Sequence, residues 1–187
     1  MKFLIAGLGN FPPEYWDTRH NIGFRVADSL AAESETLFRP VRYGNMASLR
    51  IKGRDILVVK PTTYMNLSGL AVRYWLKKED IPDENLLVVV DDIALPFGVL
   101  RLKPKGSHGG HNGLRNIEET LGTRLYARLR FGVGDSFRAG RQIDYVLGEF
   151  DKEELAALPD KIKTGVEMVK SFCLAGAANT MNLYNNK

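Results

Sequence analysis

The stretch Leu86-Leu87-Val88-Val89-Val90 is apolar at every position and stops abruptly at Asp91-Asp92. A strand with one wet face alternates polar and apolar residues; a run with no polar position needs cover on both faces, as inside a parallel sheet. Phe3–Ala6 and Ile56–Lys60 read in the same way, and Tyr43–Ile51, Val99–Lys103 and Arg128–Val133 complete the strand candidates. Helical periodicity fills the gaps, around Val26–Glu35, Gly69–Lys78, Leu114–Leu121 and from Asp151 almost to the end, with Gly165 and Gly176 as weak points. Strands interleaved with helices predict an α/β fold: a mixed, mostly parallel twisted sheet with helices on both faces. The 187 residues suit a single domain, 1–187, with 151–187 as a C-terminal helical segment packed on it.

One cysteine, Cys173, excludes an intrachain disulfide framework and a cysteine-rich zinc site, and points to the cytoplasm. No apolar run approaches the ~20 residues of a membrane span, and the N-terminus reads as a first strand rather than an export signal. The formal charge is +4, but Phe97–Gln142 carries +6 and the remainder −2. Such a basic segment predicts a polyanionic partner such as nucleic acid, with a merely solvated face as the alternative.

In parallel sheets, ligands bind beyond the carboxyl ends of the strands. Here those ends deliver Gly7-Leu8-Gly9-Asn10, Pro61-Thr62-Thr63-Tyr64-Met65-Asn66 and Asp91-Asp92. Gly7 and Gly9 begin a dinucleotide fingerprint, but Pro12 stands where its third glycine belongs, which argues against a nicotinamide or flavin cofactor. The two glycines are expected to let the chain turn tightly and bring the Asn10 amide to a pocket. His20 follows the first strand closely. Asp91 is expected to accept a hydrogen bond from one imidazole nitrogen, fixing the tautomer and leaving the other nitrogen as a base.

His108 and His111 lie in a glycine-rich stretch. Without H-E-x-x-H or a nearby cysteine, a loop that approaches a ligand is the better reading than a metal site. No G-x-S-x-G elbow is present. Ser68 reads as a helix cap and Cys173 as core packing, which leaves activated water as the nucleophile. Tyr64 and Met65 fit either the core or the wall of a substrate pocket, and Tyr15 and Trp16 are equally ambiguous.

Several motifs together resemble bacterial peptidyl-tRNA hydrolase. They are Gly7-Leu8-Gly9-Asn10, Tyr15, Thr18-Arg19-His20-Asn21-x-Gly23, Lys60-Pro61-Thr62-Thr63-Tyr64-Met65-Asn66-Leu67-Ser68-Gly69 and Gly109-Gly110-His111-Asn112-Gly113. Asp91 with Leu95-Pro96-x-Gly98, Arg128-Leu129-Arg130-x-Gly132-Val133-Gly134 and Asp144-Tyr145-Val146-Leu147 extend the resemblance to about residue 150. It implies a monomeric cytoplasmic esterase, free of metal and cofactor, that cleaves peptidyl-tRNA. By the family pattern His20 is the proton acceptor, Asp91 stabilises its basic form, and Asn10 helps to distinguish N-blocked from free aminoacyl-tRNA. Tyr15, Tyr64, Met65, Asn66, His111 and Asn112 are implied substrate contacts, and Lys103 and Arg130 an implied clamp on the tRNA 5′-phosphate. The chain departs from the family at Phe11-Pro12 (usually Pro-Gly), Tyr64 (phenylalanine), Asp92 (glutamate), Ala94 (an acid) and Asp135-Ser136 (a basic or proline-containing turn). The rival readings are an RNA-binding relative without turnover, a nucleotide-cofactor enzyme, and a metal-dependent hydrolase built on His20, His108, His111 and Asp91.

Overall fold

The three apolar runs become neighbours at the centre of one sheet. In the computed structural model, which describes residues 1–185, β1 (Lys2–Gly7) lies between β4 (Arg54–Pro61) and β5 (Leu86–Asp92) and runs parallel to both. β7 (Ala127–Gly132) extends the parallel set beyond β5. The flanks are antiparallel: β3 (Gly44–Ile51) on β4, β2 (Arg39–Val41) on β3, and β6 (Leu100–Lys103) on β7. The order is β2-β3-β4-β1-β5-β7-β6, with five of the seven strands pointing the same way. The carboxyl ends of β1, β4 and β5 therefore share one edge, as the strand-end argument requires.

Alternation along the central strands feeds two cores. Leu87 and Val89 face α1 (Ile22–Glu33) and α5 (Lys152–Tyr184), with Ile5, Val58, Leu129, Val26, Val166 and Phe172 buried among them. Leu86, Val88 and Val90 face α2 (Ser68–Lys78) and α3 (Asn112–Leu121), packed with Leu4, Val72, Leu76, Leu114 and Ile117. Both faces of β5 are thus sealed, which is why its sequence has no polar position before Asp91.

The glycines at and just beyond the end of β1 act differently from the expectation. Neither Gly7 nor Gly9 has a positive φ, so no tight turn depends on them. Close approach is the reason for both. A Cβ on Gly7 would lie 2.3 Å from the Gly23 carbonyl oxygen, one on Gly9 2.8 Å from the Phe24 ring, and one on Gly23 2.5 Å from the Leu8 backbone. Helix α1 consequently rests directly on β1, and the turn before it is held at the sheet edge.

Ser68 is not a cap: it opens α2, and its hydroxyl donates to the Met65 carbonyl at 2.7 Å. Asp151 caps α5 through a reciprocal box with Glu154. In α5, Leu158, Ile162, Val166, Val169 and Phe172 are buried as their stripe predicts, whereas Leu155 falls outside it and is exposed. Gly165 does not break the helix; it lets α5 approach Leu100 and Val26. Gly176 does interrupt it, with φ 87° and ψ 169°. Two short elements carried no readable pattern: β2 and α4 (Gln142–Val146), neither of which contains a buried residue.

Candidate active site

A short 3-10 turn, Arg19–Asn21, leads into α1 and carries His20 to the end of β5. Its Nδ1 lies 2.9 Å from both carboxylate oxygens of Asp91. An ionised carboxylate only accepts, so Nδ1 holds the ring proton and donates. Nε2 is left with its lone pair and has no protein hydrogen-bond partner among the described residues.

Asp91 has a second histidine. His111 caps α3 through its Nδ1, which accepts from the Gly113 and Leu114 amides at 3.1 and 3.3 Å. Two amides pointing at Nδ1 put the ring proton on Nε2, which donates to Asp91 Oδ1 at 2.9 Å. The two imidazoles sit 4.9 Å apart, centroid to centroid. Burial alone would raise the Asp91 carboxyl, which is only 3% exposed, but the His20 and His111 charges and their hydrogen bonds hold it well below the usual carboxylate range. Burial likewise pushes His20 down, and Asp91 outweighs it, leaving the imidazole above its ordinary value of 6.5.

Around this triad lies a cleft of about 510 Å³ that His20, Asp91, His111, Asn112, Lys103 and Arg130 all line. Asn112, the first residue of α3, is exposed at the rim. Asn10 stands at the end of β1. Its backbone amide donates to Asn21 Oδ1 at 2.8 Å, and Asn21 Nδ2 donates back to the Asn10 carbonyl at 2.9 Å. The fully buried Asn21 thus holds the Asn10 backbone while the Asn10 side chain stays uncommitted. Met65 is core: it is 6% exposed, and its sulfur would lie 2.8 Å from a Cβ on Gly113. That contact sets Asn66, in the Met65–Leu67 turn, beside the start of α3, and the Gly69 amide donating to Asn116 Oδ1 at 2.7 Å reinforces it. Tyr64 and Asn66 are exposed and Asn10 and Tyr15 half-buried; none of the four lines the cleft.

The basic segment is less free than its composition suggests. Arg130 pairs with Asp92, Arg124 with Glu118 and Arg141 with Asp144. Arg128 is 2% exposed, stacked 4.3 Å over Tyr126 and bonded to the carbonyls of Ser107, Arg124 and Tyr126. Lys103 remains exposed with no carboxylate partner among the described residues. Cys173 is buried, and burial pushes its thiol up to about 12, far from a nucleophile at neutral pH.

His20, Asp91 and His111 also present ligand atoms within 4.8 Å of one another, a spacing a metal ion could bridge. The hydrogen bonding does not fit one. A metal on His111 Nε2 would displace the proton that Asp91 accepts, because Nδ1 is already taken by two backbone amides. His108 is turned to its own loop, its Nδ1 accepting from the Gly110 amide at 2.9 Å.

The model of the peptidyl-tRNA hydrolase family matches residues 4–187. The chain belongs to this family. Peptidyl-tRNA hydrolases of Parabacteroides distasonis and Phocaeicola vulgatus are 60% and 59% identical to it, each over the full length of both chains. The crystal structure of peptidyl-tRNA hydrolase from Acinetobacter baumannii superposes with a TM-score of 0.92 at 34% identity, covering 98% of this chain and 94% of that one. The family match extends through α5, well past the motifs that end near residue 150.

Two residues named in the sequence motifs have structural roles that the sequence does not give. His111 reads there as a loop residue near a ligand, yet it is the second partner of Asp91. Asn21 stood inside the quoted motif without a role.

Proposed function

We propose that this chain hydrolyses the ester joining a peptide to the ribose of tRNA, with water as nucleophile and His20 as general base. The observation that supports it is the Asp91-held imidazole, whose free Nε2 opens into a cleft. Water held at Nε2 loses its proton to His20 as its oxygen attacks the ester carbonyl. The proton then passes to the departing ribose oxygen, so His20 ends as it began. Asp91 fixes the tautomer and stabilises the imidazolium, and His111 holds Asp91 in place. Asn112 on the cleft wall, with Asn66 in the turn packed against the start of the same helix, is proposed to orient the ester carbonyl and donate to the developing oxyanion. The uncommitted side chain of Asn10 is assigned to reading the blocked amino group, and Tyr15 and Tyr64, outside the cleft wall, to contacts with the peptide farther from the ester.

Lys103 and Arg130, on one wall of the cleft, are suited to the tRNA phosphate; Arg130 would exchange Asp92 for it. No metal or cofactor has a step in this reaction. Among the described residues no helix is long and apolar enough to cross a membrane. We take the chain to act as one domain, a monomer in the cytoplasm, where its substrate arises. Single-turnover hydrolysis of N-acetyl-aminoacyl-tRNA beside the unblocked form tests the reading. Release from the first and sparing of the second, both unchanged by EDTA, is expected. Equal release from both, or loss of activity on chelation, would contradict it.

A further inference from the structure

A second cationic surface lies on the opposite flank of the sheet, in the part of the sequence whose net charge is negative. The β2–β3 turn, Arg42-Tyr43, meets the outer face of α2. Together with Leu70, Arg73, Tyr74, Lys77 and Lys78, Tyr43 lines a groove of about 380 Å³. Tyr43 holds a φ of 65°, a conformation a bulky side chain rarely adopts. The Arg42 guanidinium lies 5.2 Å from the ring centroids of both Tyr43 and Tyr74, which meet edge to face at 5.7 Å. Trp75 pins the turn by donating from its indole to the Arg42 carbonyl at 2.8 Å. No acidic residue lines the groove, and Arg42, Arg73, Lys77 and Lys78 have no carboxylate partner among the described residues.

The groove shares no lining residue with the cleft, but the chain that borders it runs on to Asn66. The Thr62 amide, two residues before Tyr64, donates to the Tyr43 carbonyl at 2.9 Å. Leu67, Leu70, Tyr74 and Lys77 follow helical spacing along one face of α2, starting one residue after Asn66. From Asn66 to Lys78 that face measures roughly 18 Å, at ~1.5 Å per residue. An extended peptide covers it in about five to six residues. Strand order puts this groove beyond β3 and the Lys103–Arg130 wall on β6 and β7, with the ester position between them.

We infer that the Arg42–Tyr43–Arg73–Tyr74 groove receives the nascent-peptide part of the substrate, several residues from the ester, and favours acidic side chains there. The inference rests on the function proposed above. If tRNA occupies the β6–β7 side, the peptide must leave on the other, along α2. Acidic side chains complement the four unpaired cations, and the two tyrosines provide a sequence-tolerant apolar wall.

The test compares tRNAs esterified with N-acetylated heptapeptides that carry aspartate or lysine four to six residues from the ester. The wild-type chain should favour the aspartate substrate about five- to tenfold in kcat/KM, carried by KM, as expected for two or three exposed ion pairs. Arg73→Gln/Lys77→Gln should bring the ratio near one, and Arg73→Glu/Lys77→Glu should invert it. A wild-type ratio near one would overturn the proposal. So would an equal loss on both peptides and on N-acetyl-aminoacyl-tRNA, which would place RNA in the groove. Equilibrium binding of the same two substrates to His20→Ala keeps the questions apart: absence of turnover in the wild type would sink the function, while the binding ratio would still decide the groove.

Discussion

Replacing His20 with alanine is expected to lower single-turnover hydrolysis of N-acetyl-aminoacyl-tRNA by about 10²–10⁴-fold, the usual contribution of a positioned general base. Substrate binding should change little, since the lost Nε2 is proposed to engage water rather than tRNA or peptide. The neighbouring imidazole of His111 cannot take over, because both of its nitrogens are engaged, Nδ1 by two backbone amides and Nε2 by Asp91. Lys103→Ala provides the contrast. Its exposed ammonium is proposed to meet a phosphate, so its removal should raise KM and flatten the salt dependence of binding by about one unit of slope while leaving the chemical step nearly intact. Single-turnover rates at saturating enzyme, beside binding measured across a salt series, separate the two variants. A His20→Ala rate within a few-fold of wild type would remove the proposed base.

Asp91→Asn should be nearly as damaging, for a reason that runs through His111. Two backbone amides fix the His111 proton on Nε2, so His111 always presents a donor to position 91. An asparagine there must offer its carbonyl oxygen to His111, which turns its NH2 toward His20 Nδ1. That nitrogen then has to accept, the proton moves to Nε2, and the base disappears. A loss of about 10²–10⁴-fold is expected, as for a triad whose histidine is left in the wrong tautomer.

The pH profile carries a second signature. In the wild type Asp91 holds the imidazole above its ordinary 6.5 against the opposing effect of burial, so kcat/KM should fall as pH drops through that raised value. The neutral amide removes the raising influence and leaves burial, which favours the uncharged ring. The acid limb of the residual activity should therefore move to lower pH. A shift to higher pH, or no shift, would contradict the assigned coupling.

Much of this site was legible from strand ends. The apolar runs of β1, β4 and β5 are unambiguous because each is buried on both faces, and the polar residue that ends each run lies at the shared edge. The pairing of His20 with Asp91 followed from that placement. What the sequence could not reveal depends on geometry without a residue pattern. An imidazole capping a helix has no propensity signature, so His111 read as a loop residue. The glycines at 7 and 9 suggested a turn because a close approach to Gly23 and Phe24 involves a distant segment. Charge arithmetic counted Arg128 with the surface, since composition cannot register burial against Tyr126. It also hid the Arg42–Lys78 groove, whose cations come from two separate stretches and cancel against acids that lie elsewhere.

The proposed reaction requires that neutral His20 carry its proton on Nδ1 and keep a bare Nε2 toward the cleft. Long-range 1H–15N correlation spectra of the histidine rings, recorded above the His20 titration and assigned by comparison with His20→Ala, read this directly. The expected result is a protonated Nδ1 and an unprotonated Nε2 for His20, beside the reverse for His111. A His20 ring protonated on Nε2 would contradict it.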